Sequence, residues 1–166
     1  MIPLAAPVGD VRVSASVEET ERLGERLAPA LEFGDLLVLS GPLGAGKTRF
    51  VAGLARGLGT AGRVRSPSFI LINEYRGRLL LLHVDLYRVE PMDVDGLGLE
   101  EEIGRGALVV EWGEKLGQRW REEALVVAFE VLSAHERRLS AGAQAGRGLA
   151  LLEAWRRLAG AEEHGA

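Results

Sequence analysis

Leu36-Leu37-Val38-Leu39-Ser40 runs directly into Gly41-Pro42-Leu43-Gly44-Ala45-Gly46-Lys47-Thr48 and then into Arg49-Phe50-Val51-Ala52-Gly53-Leu54-Ala55. The three pieces read as a buried strand, a glycine loop of form G-x-x-x-x-G-K-T and an amphipathic helix. Such a loop lets the backbone approach phosphate oxygens closely and aim several N–H groups at them, and the helix that follows adds its unpaired N–H groups and positive dipole end. Lys47 would reach the terminal phosphates as a point charge, and the Thr48 hydroxyl would hold a magnesium ion. With 22 glycines, two lysines and ten serines or threonines in 166 residues, the pattern has a chance of about 0.002 of arising at random. The expected ligand is a nucleoside triphosphate, held by Gly41, Leu43, Gly44, Ala45, Gly46, Lys47, Thr48 and Arg49.

The chain is long enough for one domain with a full core, and 47% apolar with 27% charged residues is ordinary for a globular protein. There is no cysteine, which excludes a disulfide framework, a thiolate nucleophile and a cysteine metal site. The start lacks the basic opening and apolar run of a signal peptide, and no apolar run approaches the roughly 20 residues of a membrane helix. A soluble, cytoplasmic protein without membrane contact is expected. A net charge of −4 argues against a dedicated nucleic-acid binder. The charge is uneven, however: residues 47–88 hold eight basic against two acidic residues, and residues 90–123 hold four against ten. Two solvated faces account for this, or faces that guide the docking of partner macromolecules.

Around the loop, residues 10–15 alternate as a half-buried strand, with Val11, Val13 and Ala15 on one face. Ser16-Val17-Glu18-Glu19 is a capping box that opens a helix with Leu23, Leu27 and Leu31 on one side, and Pro29 predicts a kink or an early stop near Ala28. The helix after the loop buries Phe50, Leu54 and Leu58 and ends at Gly59. Residues 68–85 read as a hairpin turning at Arg76-Gly77, which makes the sheet mixed. Pro91 to Gly98 is turn-like, Leu99 to Ile103 a short helix, residues 107–110 a buried strand and residues 114–123 surface. Residues 124–132 and 136–141 read as strands and residues 148–158 as a closing helix. The whole is expected to be α/β: a P-loop NTPase-like three-layer domain over 1–166, with a mixed central sheet flanked by helices.

A phosphate loop needs an acidic partner at the carboxyl end of a neighbouring strand. Two strands end that way: Leu79-Leu80-Leu81-Leu82-His83-Val84-Asp85 and Ala107-Leu108-Val109-Val110-Glu111. Glu111 is assigned to magnesium and the attacking water, and Asp85 to a supporting position near the γ-phosphate, with the opposite assignment open. His83 shares a strand face with Asp85 and reads as a packed or hydrogen-bonded histidine rather than a metal ligand. Ser66-Pro67-Ser68-Phe69 has the form of a switch or of a plain turn. Arg137, Arg138 and Arg147 are candidates for late contacts to the nucleotide, or simple surface residues.

The ordered set Leu43-Gly44-Ala45-Gly46-Lys47-Thr48, Ser66-Pro67-Ser68-Phe69, Asn73-Glu74-Tyr75, His83-Val84-Asp85-Leu86-Tyr87-Arg88 and Glu111-Trp112 resembles the TsaE (YjeE) family over residues 10–115. The resemblance implies a bacterial P-loop ATPase of tRNA threonylcarbamoyladenosine synthesis, with catalytic Lys47, Asp85 and Glu111, magnesium on Thr48 and Glu111, and ATP and Mg2+ as cofactors. It implies slow turnover alone and stimulation by TsaB and TsaD, with TsaD modifying the adenosine beside the anticodon and tRNA met only through the complex. Arg49 departs from the family, which usually has a second threonine there. The alternative is a stand-alone P-loop small-molecule kinase, but such enzymes carry an arginine-rich lid, whereas Pro91 to Gly98 is acidic. A nucleotide-dependent binding module is a third reading; a GTPase lacks support, because no N-K-x-D motif is present.

Overall fold

Leu36–Ser40 and Ala107–Glu111 are apolar without alternation, as strands must be when both faces are covered. They form the centre of one seven-stranded sheet in a computed structural model that describes residues 8–65 and 71–163, with side chains described for 9–158. The strands are β1 (Val8–Ser14), β2 (Leu36–Ser40), β3 (Ile72–Arg76), β4 (Leu80–Asp85), β5 (Ala107–Glu111), β6 (Leu125–Val131) and β7 (Arg137–Ala143). Their order is β1-β7-β6-β2-β5-β4-β3. The block β6-β2-β5-β4 is parallel, while β3 pairs antiparallel with β4, and β7 with both β6 and β1. The sheet is mixed, as expected.

Helices α1 (Val17–Leu27), α2 (Lys47–Gly57) and α5 (Gly146–Glu163) cover one face. The core there joins Leu27, Phe50, Leu54 and Trp155 to Leu37, Leu39 and Val109 of the sheet. A 3-10 segment (Pro91–Leu97), α3 (Leu99–Ile103) and α4 (Gln118–Arg121) cover the other, with Val94, Leu99 and Leu116 against Val38, Val84 and Val110. Ser16 caps α1 by accepting the Glu19 N–H at 3.1 Å, and the Glu19 carboxylate reaches back to the Ala15 N–H at 2.7 Å. Pro29 ends α1 as expected, in a 3-10 turn over Ala28–Ala30.

Three readings need correction. In β1 the apolar face is the outer one: Val11 and Val13 are each 55% exposed, and Ser14 is buried. Ser14 Oγ lies 2.8 Å from Thr20 Oγ1 and donates to the Ser16 carbonyl at 2.7 Å, so hydrogen bonds to α1, not hydrophobicity, choose the inward face. The β3–β4 turn falls at residues 77–79, because Arg78 leaves the strand to donate to the Ala28 and Leu31 carbonyls. Residues 114–123 are not only surface: Leu116 is buried and Trp120 packs on the second core. The part of the expected hairpin at 66–70, with Ser66-Pro67-Ser68-Phe69, lies outside the described residues.

Candidate functional site

Parallel pairing brings the carboxyl ends of β2, β5 and β4 to one edge of the sheet. Leu39 is level with Glu111, and Glu111 with Asp85, so the glycine loop and both strand-end carboxylates emerge side by side. A cleft of about 490 Å3 opens there. It is lined by Leu43 to Arg49, by Asp85, Tyr87, Arg88, Glu111 and Trp112, and by Ser16, Val17, Thr20, Ala134, His135 and Arg137. Gly41 closes β2 beneath it.

The loop enters α2 through Gly46, whose φ of 101° is left-handed backbone that favours glycine. No side chain caps this helix, so its N-terminal N–H groups are offered to the cleft. Lys47 is buried, donates to the Gly41 carbonyl and sits 3.7 Å over the centre of the Trp112 ring. Burial holds its ammonium below the usual range, against the opposing pull of Glu111, Glu114 and Asp85. An anion in the cleft would replace the hydration this group has lost.

Glu111 is only 3% exposed. Thr48 Oγ1 lies 3.0 and 2.9 Å from its two oxygens, and His83 Nε2 lies 2.5 Å from Oε2. A hydroxyl and a carboxylate converging at the mouth of a glycine loop are the kind of oxygen donors a hard cation selects. The buried Asp85 accepts the Tyr87 N–H at 2.9 Å, which turns the chain sharply after β4. Trp112 has φ 59°, a strained conformation for a bulky residue. Its ring rests on Tyr87, centroids 5.1 Å apart, and so roofs the lysine.

The structure therefore gathers Lys47, Thr48, Asp85 and Glu111 with the loop residues 43–46 and Arg49. Of the three late arginines only Arg137 reaches the cleft, donating to the Gly44 carbonyl at 3.3 Å. Arg138 pairs with Glu130 on the surface. Arg147 lies at the opposite end of the sheet, where it grips the buried Asp35 through two 2.8 Å bonds. Lys115 went unread in the sequence. Its ammonium donates to the Leu86, Tyr87 and Val89 carbonyls at 2.8, 2.7 and 2.9 Å and so holds the segment behind Asp85. That only two lysines exist was the one available signal. Lys115→Met should cost about 1.5–3 kcal/mol in urea unfolding, the range for hydrogen bonds to a charged group; an unchanged midpoint would show the clamp to be idle.

The fold and the cleft define an α/β protein in which a glycine loop, a buried lysine and two strand-end carboxylates meet at one edge of the sheet. A family model described as "Threonylcarbamoyl adenosine biosynthesis protein TsaE" matches residues 14–139. The tRNA threonylcarbamoyladenosine biosynthesis protein TsaE of Treponema pallidum is 40% identical over 130 residues, covering 77% of this chain and 96% of that protein. That of Bacillus subtilis is 40% identical over 125 residues, with 74% and 78% covered. A crystal structure of Bacillus subtilis YdiB superposes with a TM-score of 0.76 at 33% identity, over 92% of this chain and 97% of that one. The chain belongs to the TsaE family. No helix among the described residues is long and apolar enough to cross a membrane.

Proposed function

We propose that this chain, acting as one domain, binds ATP with Mg2+ and hydrolyses it as a subunit of the tRNA threonylcarbamoyladenosine machinery, together with TsaB and TsaD homologues in the cytoplasm. Contact with tRNA is indirect, through that complex. The observation that carries the reading is the meeting of Thr48 with Glu111 beneath the open N-terminus of α2, beside the buried Lys47. The loop backbone from Gly41 to Gly46, with Arg49 beside it, would cradle the phosphates, and Lys47 would neutralise the terminal ones. Thr48 and Glu111 would hold the magnesium ion, which when bound neutralises phosphate charge. Glu111 would also orient the attacking water, and Asp85 would support the γ-phosphate end. Trp112 and Tyr87 keep bulk water from the lysine.

The test is ATP hydrolysis by the purified protein, alone and with TsaB and TsaD. Slow turnover alone and strong stimulation by the partners are expected. Fast turnover that ignores the partners, or phosphate transfer to a small acceptor, would replace this reading with a stand-alone kinase.

A further inference from the structure

The deepest polar contact of the site is one the reaction does not require on its face. His83 is fully buried (0% exposed) in the middle of β4, and it does not line the cleft that Glu111 lines. Its Nε2 lies 2.5 Å from Glu111 Oε2, while its Nδ1 is buried without a hydrogen-bond partner among the described residues. A buried imidazole with one partnered and one bare nitrogen has a single low-cost arrangement here. A proton sits on Nε2, facing the carboxylate, since a lone pair there would point at the carboxylate's own. The ring cannot easily turn away, because the sheet encloses it and Tyr75 lies against it, centroids 6.1 Å apart.

Thr48 alone would not set the carboxylate's orientation. Its hydroxyl is nearly equidistant from both oxygens, and the terminal torsion of a glutamate is broad and two-fold. The contact from His83 breaks that symmetry. It takes Oε2 from the protein side and leaves Oε1 without a histidine contact. We infer that His83 is a positioning residue for Glu111, fixing through Nε2–H which carboxylate oxygen the site presents to its cation and water. The inference rests on the role proposed above for Glu111. Partners of this kind behind a ligating group are worth about 10–100-fold in metal affinity or activity.

A double-mutant cycle on partner-stimulated ATP hydrolysis tests it, with His83→Leu, His83→Gln, Glu111→Ala and the His83→Leu/Glu111→Ala double variant. His83→Leu should lower kcat about 10–100-fold with little change in KM for ATP. His83→Gln, which keeps an amide N–H near the Nε2 position, should recover most of it. In the Glu111→Ala background His83→Leu should change nothing further, whereas a merely structural histidine would give losses that add. Two readouts stand apart from turnover. The Mg2+-dependent gain in ADP affinity, measured by calorimetry, should shrink in His83→Leu. Imidazole 1H–15N correlation spectra of the wild-type protein should show the His83 proton on Nε2. A proton on Nδ1 alone, additive losses, or a wild-type kcat in His83→Leu would overturn the inference and leave the role of Glu111 standing. A Glu111→Ala variant with full turnover would bring down both.

Discussion

Glu111→Gln is expected to lower partner-stimulated ATP turnover about 100-fold or more, the usual worth of a positioned acid–base group, while ATP affinity changes only a few-fold. The substitution keeps the length and shape of the side chain, so an oxygen remains for Thr48 or His83 to find. What it removes is the charge. Lys47, the loop backbone and the N-terminus of α2 are untouched, and these are the groups proposed above to hold phosphate. The fold should not suffer. Glu111 and Asp85 are level neighbours on adjacent strands, both nearly inaccessible to solvent, and burying a charge costs stability. Neutralising one should leave the melting temperature unchanged or raise it, the usual relation between a functional site and stability. Single-turnover hydrolysis, calorimetric ATP titration and a thermal melt read the three quantities separately. Turnover that survives in Glu111→Gln and is lost in Asp85→Asn would give Asp85 the role assigned here to its neighbour.

Gly53→Ala should destabilise the protein by up to about 2 kcal/mol net, the overpacking of two helices outweighing the roughly 1 kcal/mol by which alanine is the better helix former. Gly53 sits in the middle of α2, where α1 crosses it. A Cβ there would stand 1.9 Å from the Glu21 carbonyl oxygen, 2.8 Å from its carbon and 3.0 Å from the Glu25 nitrogen. These are backbone atoms, so no rotamer change relieves the overlap; α1 and α2 would have to separate. Ser16, Val17 and Thr20 form one wall of the cleft at the start of α1, and Lys47, Thr48 and Arg49 form the other at the start of α2. Nucleotide affinity should therefore fall with stability. Gly96→Ala is the control: no atom lies within 4 Å of a Cβ added there, and a change within about 0.5 kcal/mol is expected. Urea midpoints for the two variants settle the matter, and a Gly53→Ala midpoint at or above wild type would mean that the two helices pack more loosely than described.

What could be read in the sequence was local. A strand, a glycine loop and a helix within residues 36–57, the Ser16 capping box, the stop at Pro29 and two apolar strands ending in Asp85 and Glu111 depend on residues a few positions apart, whose backbone preferences and periodicity act at short range. So do the motifs behind the family resemblance, which the comparisons uphold. Alternation misled at β1, where Val11 and Val13 face solvent, because the helices meet that strand through hydroxyls and an ionic face rather than through its valines. Composition misled at residues 114–123, where Lys115 spends its charge on three carbonyls instead of on water.

The remaining decisions are long-range. His83 reaches Glu111 across 28 positions and Thr48 reaches it across 63, and parallel strand order alone brings them together. The same order sends Arg147 to the far end of the sheet, 112 positions from the Asp35 it grips, and puts Arg137 at the loop. The sequence by itself determined which groups were available for phosphate chemistry and where on the strands they sat. Only the tertiary structure decided which of them meet, because contacts between distant residues follow from strand register and helix packing, neither of which a short stretch of chain encodes.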